Sequence, residues 1–255
     1  MTERFFIPDW PAPNNVRSAI TLRAGGVSQA PFTSNNLAVH VGDNEEHVAA
    51  NRQSLVHELR LPCQPLWLDQ VHGTDAVYAP EAEGLRSADA SYTDTADTVC
   101  AVLTADCLPV LLCNQSGTHI AAAHAGWRGL CNGILRNTVR SFSYENDSVM
   151  AYLGPAIGPQ VFEVGAEVLQ AFLNRAQSTQ HRQAIEVAFR SGLTEDKYLA
   201  DLYALARAEL AACGVTAVYG GEHCTFSQIE QFYSYRRDIR TGRNASLIWL
   251  QNDNK

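Results

Sequence analysis

Apolar and polar positions follow one another in short blocks along this chain, and the period of the blocks changes repeatedly. From Thr98 to Thr104 the side chains are almost all apolar, which predicts a strand buried on both faces. Ala105-Asp106-Cys107 interrupts the run, and Leu108 to Cys113 resumes it. Thr118 to His124 reads as another strand. Residues two apart share a face of a strand, so Ile120, Ala122 and His124 point one way and His119 the other. Pro65 to Val71, Ala217 to Tyr219 and Ser246 to Leu250 also read as strands. Helical spacing appears at Val48, Leu55 and Leu59, in a segment capped by Asp43 or Asn44, running to about Arg60 and stopped by Pro62. Gly126 and Gly129 open a helix that continues through Leu130, Ile134, Leu135 and Val139. Val164, Val168 and Phe172 repeat at helical spacing, as do Leu199, Leu202, Leu205 and Leu210, with Gly214 as the stop. Strands and helices in alternation predict α/β layers, and the pattern leaves the sheet order open. Between Ile20 and Asp43 turn formers dominate, and this stretch reads as a functional loop region instead of a packed element.

Composition narrows the picture in three ways. At 255 residues with 46% hydrophobic positions, the chain can bury a substantial core without disulfides. The net charge is −8 and the 19 basic residues are scattered, which argues against nucleic acid as a partner, since phosphate neutralisation needs a basic surface. No apolar run approaches a membrane span, and the N-terminus lacks the apolar core of a secretory signal. Seven cysteines without framework spacing read as mostly reduced core residues, so a cytoplasmic protein is expected.

Three short segments place metal-capable side chains where a predicted strand ends or breaks: Gln70-Val71-His72-Gly73, Thr104-Ala105-Asp106-Cys107-Leu108-Pro109, and His124-Ala125-Gly126-Trp127-Arg128-Gly129. Two imidazoles and a thiolate suit zinc, and three protein ligands leave a position for water, as hydrolytic sites require. The gaps of 35 and 17 residues match no local zinc pattern. On spacing alone, a buried cysteine packed as a small hydrophobe and histidines bonded to backbone explain the same residues.

These segments resemble the YfiH family, also called the laccase-domain family. Supporting matches are Arg23-Ala24-Gly25-Gly26-Val27-Ser28, Asn36-Leu37 with His40-Val41-Gly42-Asp43, Arg86-Ser87-Ala88-Asp89-Ala90, Gly154-Pro155-Ala156-Ile157-Gly158 and Phe232-Tyr233-Ser234-Tyr235-Arg236-Arg237-Asp238. They cover nearly the whole chain in order, so one catalytic domain over 1–255 is expected. The resemblance implies an α/β layered sandwich with mixed sheets, similar to the catalytic domain of cytotoxic necrotizing factor. It also implies metal ligation by His72, Cys107 and His124. Members are described as purine nucleoside phosphorylases acting on adenosine, inosine and methylthioadenosine, and as adenosine deaminases. Bacterial relatives are also linked to peptidoglycan editing, the removal of a misincorporated L-Ser from UDP-MurNAc-L-Ser. An older label is copper polyphenol oxidase.

Each activity sets its own demand on the residues. A multicopper oxidase needs many histidines, commonly in His-x-His pairs; this chain has eight histidines and no such pair. Binding of Cu2+ at a single site in vitro remains compatible with the ligands. Phosphorolysis needs an anion site, for which Arg23, followed by two glycines, and Arg128, near a helix start, are candidates. Structural ion pairing is the alternative reading of both arginines. Asn36 and His40 are further candidates for substrate or phosphate contact. Asp106, beside Cys107, is a candidate proton carrier or, alternatively, a residue that orients a ligand. Trp127, Tyr233 and Tyr235 are able to stack a purine or to pack the core. A Cys107 nucleophile with a histidine base, or a non-catalytic metal-binding module, are the remaining readings. The expectation is a monomeric zinc enzyme for which the purine nucleoside and phosphate are the partners.

Overall fold

The computed structural model describes residues 3–81, 84, 86–142, 148–192 and 194–251. In chain order its strands and helices are β1 (Phe5–Phe6), β2 (Val16–Thr21), α1 (Glu45–Leu59), β3 (Leu68–Asp69), β4 (Ala76–Tyr78), β5 (Arg86–Ser87), β6 (Ala90–Thr93), β7 (Val99–Thr104), β8 (Leu108–Asn114), β9 (Ile120–Ala125), α2 (Trp127–Asn132), α3 (Ile134–Arg140), β10 (Val149–Leu153), β11 (Glu163–Gly165), α4 (Ala166–Asn174), α5 (Thr179–Val187), β12 (Phe189–Ser191), β13 (Lys197–Ala200), α6 (Leu202–Ala212), β14 (Ala217–Gly220) and β15 (Asn244–Leu250).

Two sheets dominate. One is antiparallel, in the order β1-β2-β15-β7; the other is mixed, in the order β14-β10-β8-β9-β6-β4, with parallel pairs at both edges. A three-stranded sheet β11-β13-β12 and a two-stranded pair β3-β5 complete the set. Alternation within the long strands decides the layering. In β7, Cys100 and Val102 face the layer between the two large sheets, whereas Val99, Ala101 and Leu103 face outward against α1 and the buried Leu37. In β8, Leu111 and Cys113 join the inter-sheet layer, and Leu108, Val110 and Leu112 pack under α2, α3, α4, α5 and α6. The result is a helix, two sheets and a layer of helices, an α/β sandwich with mixed sheets.

Helix α1 begins where the polar pattern predicts. Asn44 is its N-cap, accepting from the N–H groups of Glu46 and His47, and Arg60 closes it in the left-handed region. Several expectations need correction. The helix after Gly126 is two helices, because Gly133 at φ 103° breaks it. Val164 belongs to β11 and Leu199 to β13, so the helical repeats there begin only at Ala166 and Leu202. Between Pro65 and Val71 only Leu68–Asp69 forms a strand, with Leu66 making an isolated bridge to Cys100. The stretch from Arg23 to Asp43 has no regular element, but it is packed: Ser28, Phe32, Asn35, Asn36, Leu37 and Ala38 are buried. Asn51 of α1 organises it. Its Nδ2 donates to Ser28 Oγ, Ser34 O and Asn36 O, while its Oδ1 accepts from Val27 N–H. No helix among the described residues is long and apolar enough to cross a membrane.

Candidate metal centre and its cavity

The site forms where both large sheets end together. In register, Thr104 of β7 lies opposite Asn244 of β15, and Pro109 of β8 lies opposite His124 of β9. The chain passes from one sheet to the other between Thr104 and Leu108, and Cys107 sits in that crossing. His124 shares the inter-sheet face with Ile120 and Ala122, as strand alternation requires. His119 instead lies near Phe142, on the helical side. His72 comes from the loop after β3. Sequence-distant though they are, the ligand atoms of His72, Cys107 and His124 lie within 4.8 Å of one another. Cys107 Sγ is 3.8 Å from His72 Nε2, and the two imidazole rings meet edge to face at 4.8 Å.

Two of the neighbouring backbones are held in the sparsely populated left-handed region, His72 at φ 59° and Asp106 at φ 91°. Asp89, fully buried, secures the first. Its carboxylate accepts from the N–H groups of Val71 (3.2 Å), His72 (3.0 Å) and Gly73 (2.6 Å) and from His124 Nδ1 (2.7 Å). Asp106 is secured by its own side chain, which accepts from Thr225 Oγ1 and from Arg236 N–H, both at 2.6 Å. Gln70 pairs with the backbone of Leu103 through both ends of its amide, Nε2 donating at 2.8 Å and Oε1 accepting at 2.7 Å. Gly126 leaves no space for a side chain: a Cβ there would lie 2.9 Å from Cys107 Sγ and 3.0 Å from His72 Cδ2.

Electrostatics favour a ligating thiolate. Burial alone would raise the Cys107 pKa, but the charges and hydrogen bonds of His124 and His72 outweigh it and bring the thiol down to about 6. Burial would lower His124, yet the Cys107 thiolate and the Asp89 carboxylate push it up to about 9. Burial likewise opposes the charge on Asp89, and the His124 bond and the N–H groups of Gly73 and His72 hold its carboxyl below the usual range. A soft thiolate, two imidazoles, and a carboxylate fixing Nδ1 of His124 so that Nε2 faces the cluster make a donor set that fits a metal ion.

The three side chains form one wall of a cavity of about 400 Å³, lined also by His40, Gln70, Tyr235 and Arg243. That volume suits a small-molecule ligand. Of the residues expected to touch substrate, His40 is at the cavity; burial first, then the charge of Arg243, lowers its pKa. Tyr235 is exposed at the same cavity. The others are placed elsewhere. Arg23 spends its guanidinium on the carbonyls of Ile229 and Thr33 and borders a separate depression. Arg128 lies over the ring of Trp127, 4.4 Å from its centroid, and lines no wall of this cavity. Asn36 uses its amide internally, donating to Ala38 O and Asp43 Oδ2 and accepting from the N–H groups of Ala38 and Arg243. Tyr233 is buried, its hydroxyl donating to Phe32 O at 2.7 Å. Asp106, with both oxygens engaged, points away from the role of proton carrier. Sequence reasoning missed Asp89 and Gln70 as supports, though both lie in quoted motifs, and it missed Arg243 at the cavity, although Arg243 belongs to the densest basic cluster of the chain, with Arg236, Arg237 and Arg240.

Comparison with known proteins gives a consistent result. Residues 17–251 match a family described as multi-copper polyphenol oxidoreductase laccase. A Pseudomonas aeruginosa protein named a purine nucleoside phosphorylase is 53% identical over 244 residues, 96% of this chain and 97% of that one. Purine nucleoside phosphorylase YfiH of Escherichia coli K12 is 49% identical over 250 residues, 97% of this chain and 99% of that one. The crystal structure of a Neisseria meningitidis protein, 51% identical, superposes with a TM-score of 0.90 over 98% of this chain and 100% of that one.

Proposed function

Since this chain belongs to the multi-copper polyphenol oxidoreductase laccase family, and since members so similar to it carry a nucleoside-enzyme name, we propose that it is a zinc-dependent purine nucleoside phosphorylase that also deaminates adenosine. The observation that carries the reading is the meeting of His72, Cys107 and His124 on the wall of a single ligand-sized cavity. His72, Cys107 and His124 would hold the zinc, which would supply Lewis acidity at this wall of the cavity.

In phosphorolysis a phosphate oxygen bonds to the ribose C1′, the C1′–N bond breaks, and the departing purine nitrogen takes a proton. In deamination water replaces the exocyclic amine of adenosine, giving inosine and ammonia. The chain's own residues would bind and orient these groups. Tyr235 presents an exposed aromatic face to the base. Asp89 fixes the His124 ring, and Gln70 fixes the edge of β7 on which Leu103 and Thr104 line the cavity. His40 is the remaining imidazole of the wall and is held toward its neutral form, as a proton acceptor requires.

The oxidase description of the family fits this chain less well. Several coppers need several histidine clusters, whereas the sequence has no His-x-His pair and one three-donor cluster among the described residues.

Product analysis by mass spectrometry tests the proposal. Zinc-loaded protein given adenosine should release adenine only when phosphate is present, and inosine without it; Cys107→Ala should lose both activities together with bound zinc while keeping its circular dichroism spectrum. If zinc-loaded wild type yielded neither product, the nucleoside reading would fall and UDP-MurNAc-L-Ser would become the substrate to test. Undiminished zinc content in Cys107→Ala would overturn the ligand assignment.

A further inference from the structure

Building on the phosphorolytic reading above, we propose that Arg243 is the residue that binds the inorganic phosphate co-substrate. Arg243 lines the same cavity as His72, Cys107 and His124, although it lies more than a hundred residues further along the chain, immediately before β15. Its placement is fixed from two sides. The backbone N–H donates to Asn36 Oδ1 at 3.0 Å, and Nη1 donates to the carbonyls of Thr241 at 2.9 Å and Gly242 at 3.0 Å. Both side-chain bonds leave from Nη1. The Nε and Nη2 groups, which share the other edge of the guanidinium, have no acceptor among the described residues, and no carboxylate there forms an ion pair with Arg243.

That free edge presents two parallel N–H groups, the arrangement that meets two oxygens of a phosphate. A half-buried guanidinium that keeps one edge free of acceptors, with no carboxylate ion-paired to it among the described residues, offers charge-assisted bonds to an oxyanion. Both flanking contacts hold the edge in place. The guanidinium lies 5.8 Å from the centroid of the Tyr235 ring, which borders the same cavity, and Asn36 ties the preceding backbone to the loop that carries His40. The arginines that the sequence suggested for this task do not line this cavity. Arg23 bonds carbonyls at a separate depression, and Arg128 covers Trp127. Asn36 therefore serves phosphate indirectly, as the residue that positions Arg243.

The test uses zinc-loaded full-length wild type, Arg243→Gln and Arg243→Lys, with zinc content measured in each. Phosphate is varied at saturating adenosine, adenosine at saturating phosphate, and phosphate binding to each protein is measured separately by isothermal titration calorimetry. Arg243→Gln should raise KM for phosphate about ten- to a hundredfold, the worth of a charge-assisted pair of bonds, with KM for adenosine changed less than about threefold. Arg243→Lys should recover part of that loss, because it restores the charge but not the fork. Unchanged KM and binding for phosphate in Arg243→Gln would overturn the proposal. So would an equal rise in both KM values, which would mark a packing role. If wild type shows no phosphorolysis, the reading of the reaction fails by itself. Calorimetry then decides the anion site separately: phosphate bound by wild type and lost in Arg243→Gln supports it, and no binding by wild type overturns it.

Discussion

Among the described residues two histidine–carboxylate pairs are buried, each with a cysteine nearby, and they behave in opposite ways. At the end of the two large sheets, His124 Nδ1 and Asp89 Oδ1 are 2.7 Å apart, and His124 is pushed up while Asp89 is held down. In the helical layer, His181 of α5 and Glu209 of α6 approach to 3.3 Å, and there His181 is lowered and Glu209 raised. Burial acts on both pairs; what differs is the surroundings. Asp89 has three backbone N–H donors, and His124 has a second anion in the Cys107 thiolate. Among the described residues Glu209 has no backbone donors, and Arg136, its cation, also repels a charge on His181, whose Nδ1 accepts from Gln177 N–H. The cysteines follow suit: Cys107 is lowered to about 6, whereas burial raises Cys131 and Cys213. A histidine next to a carboxylate is thus not by itself a functional signal. Charge is stabilised where loop N–H groups converge beside a cavity, and neutral forms are stabilised where helices pack.

The contrast can be broken most severely at Gly126. Its φ of −61° accepts any residue, so Gly126→Ala introduces a methyl against Cys107 and His72 without backbone strain. Zinc affinity should fall by about a hundredfold or more, beyond the usual effect of losing an outer contact, with little change in thermal unfolding of the metal-free protein. Wild-type affinity in a competitive chelator titration would refute the cluster geometry.

Asp89→Asn and Glu209→Gln form the next comparison. The first removes the charge that orients His124 and should weaken zinc by about ten- to a hundredfold. The second should leave zinc content and turnover within about twofold of wild type, because the helical pair lies outside the cavity. Equal effects on zinc would mean the two pairs are not distinct in role.

The smallest expected effect concerns pH. The folded pKa of His181 lies below its ordinary 6.5, so folding favours the neutral ring. Its contribution to stability is present above about pH 6.5 and is lost as pH falls through the lower folded value. Glu209, shifted upward, works with the opposite sign, so a variant comparison is needed to isolate the histidine. Between pH 7.5 and 5.5, wild type should lose more in Tm than His181→Asn does, read by differential scanning calorimetry at each pH. An identical pH dependence in the two proteins would show that the ring is not held neutral.

Much of this was legible in the sequence. Period-two and near-continuous apolar runs specify β7, β8 and β9, because the side-chain direction in a strand is local, and that rule also sends His124 and His119 to opposite faces. Asn44 announces α1 because its capping bonds lie within one turn. The three donor motifs stand out because each breaks a pattern at a strand end. Short strands such as β4, β5 and β12 left no such trace, since two or three residues carry no period.

Only the tertiary structure decided which residues meet. Asp106 borders Cys107 in sequence, yet Thr225 and Arg236 turn its carboxylate elsewhere. Arg23 and Arg128 sit within the most distinctive motifs, yet the guanidinium in the cavity is Arg243, which the sequence shows only as one of four clustered arginines. The physical reason is the same in each case. Local sequence fixes backbone conformation and the alternation of faces, whereas the meeting of His72, Cys107, His124 and Arg243 follows from sheet register and the crossing between sheets, which join residues far apart in the chain.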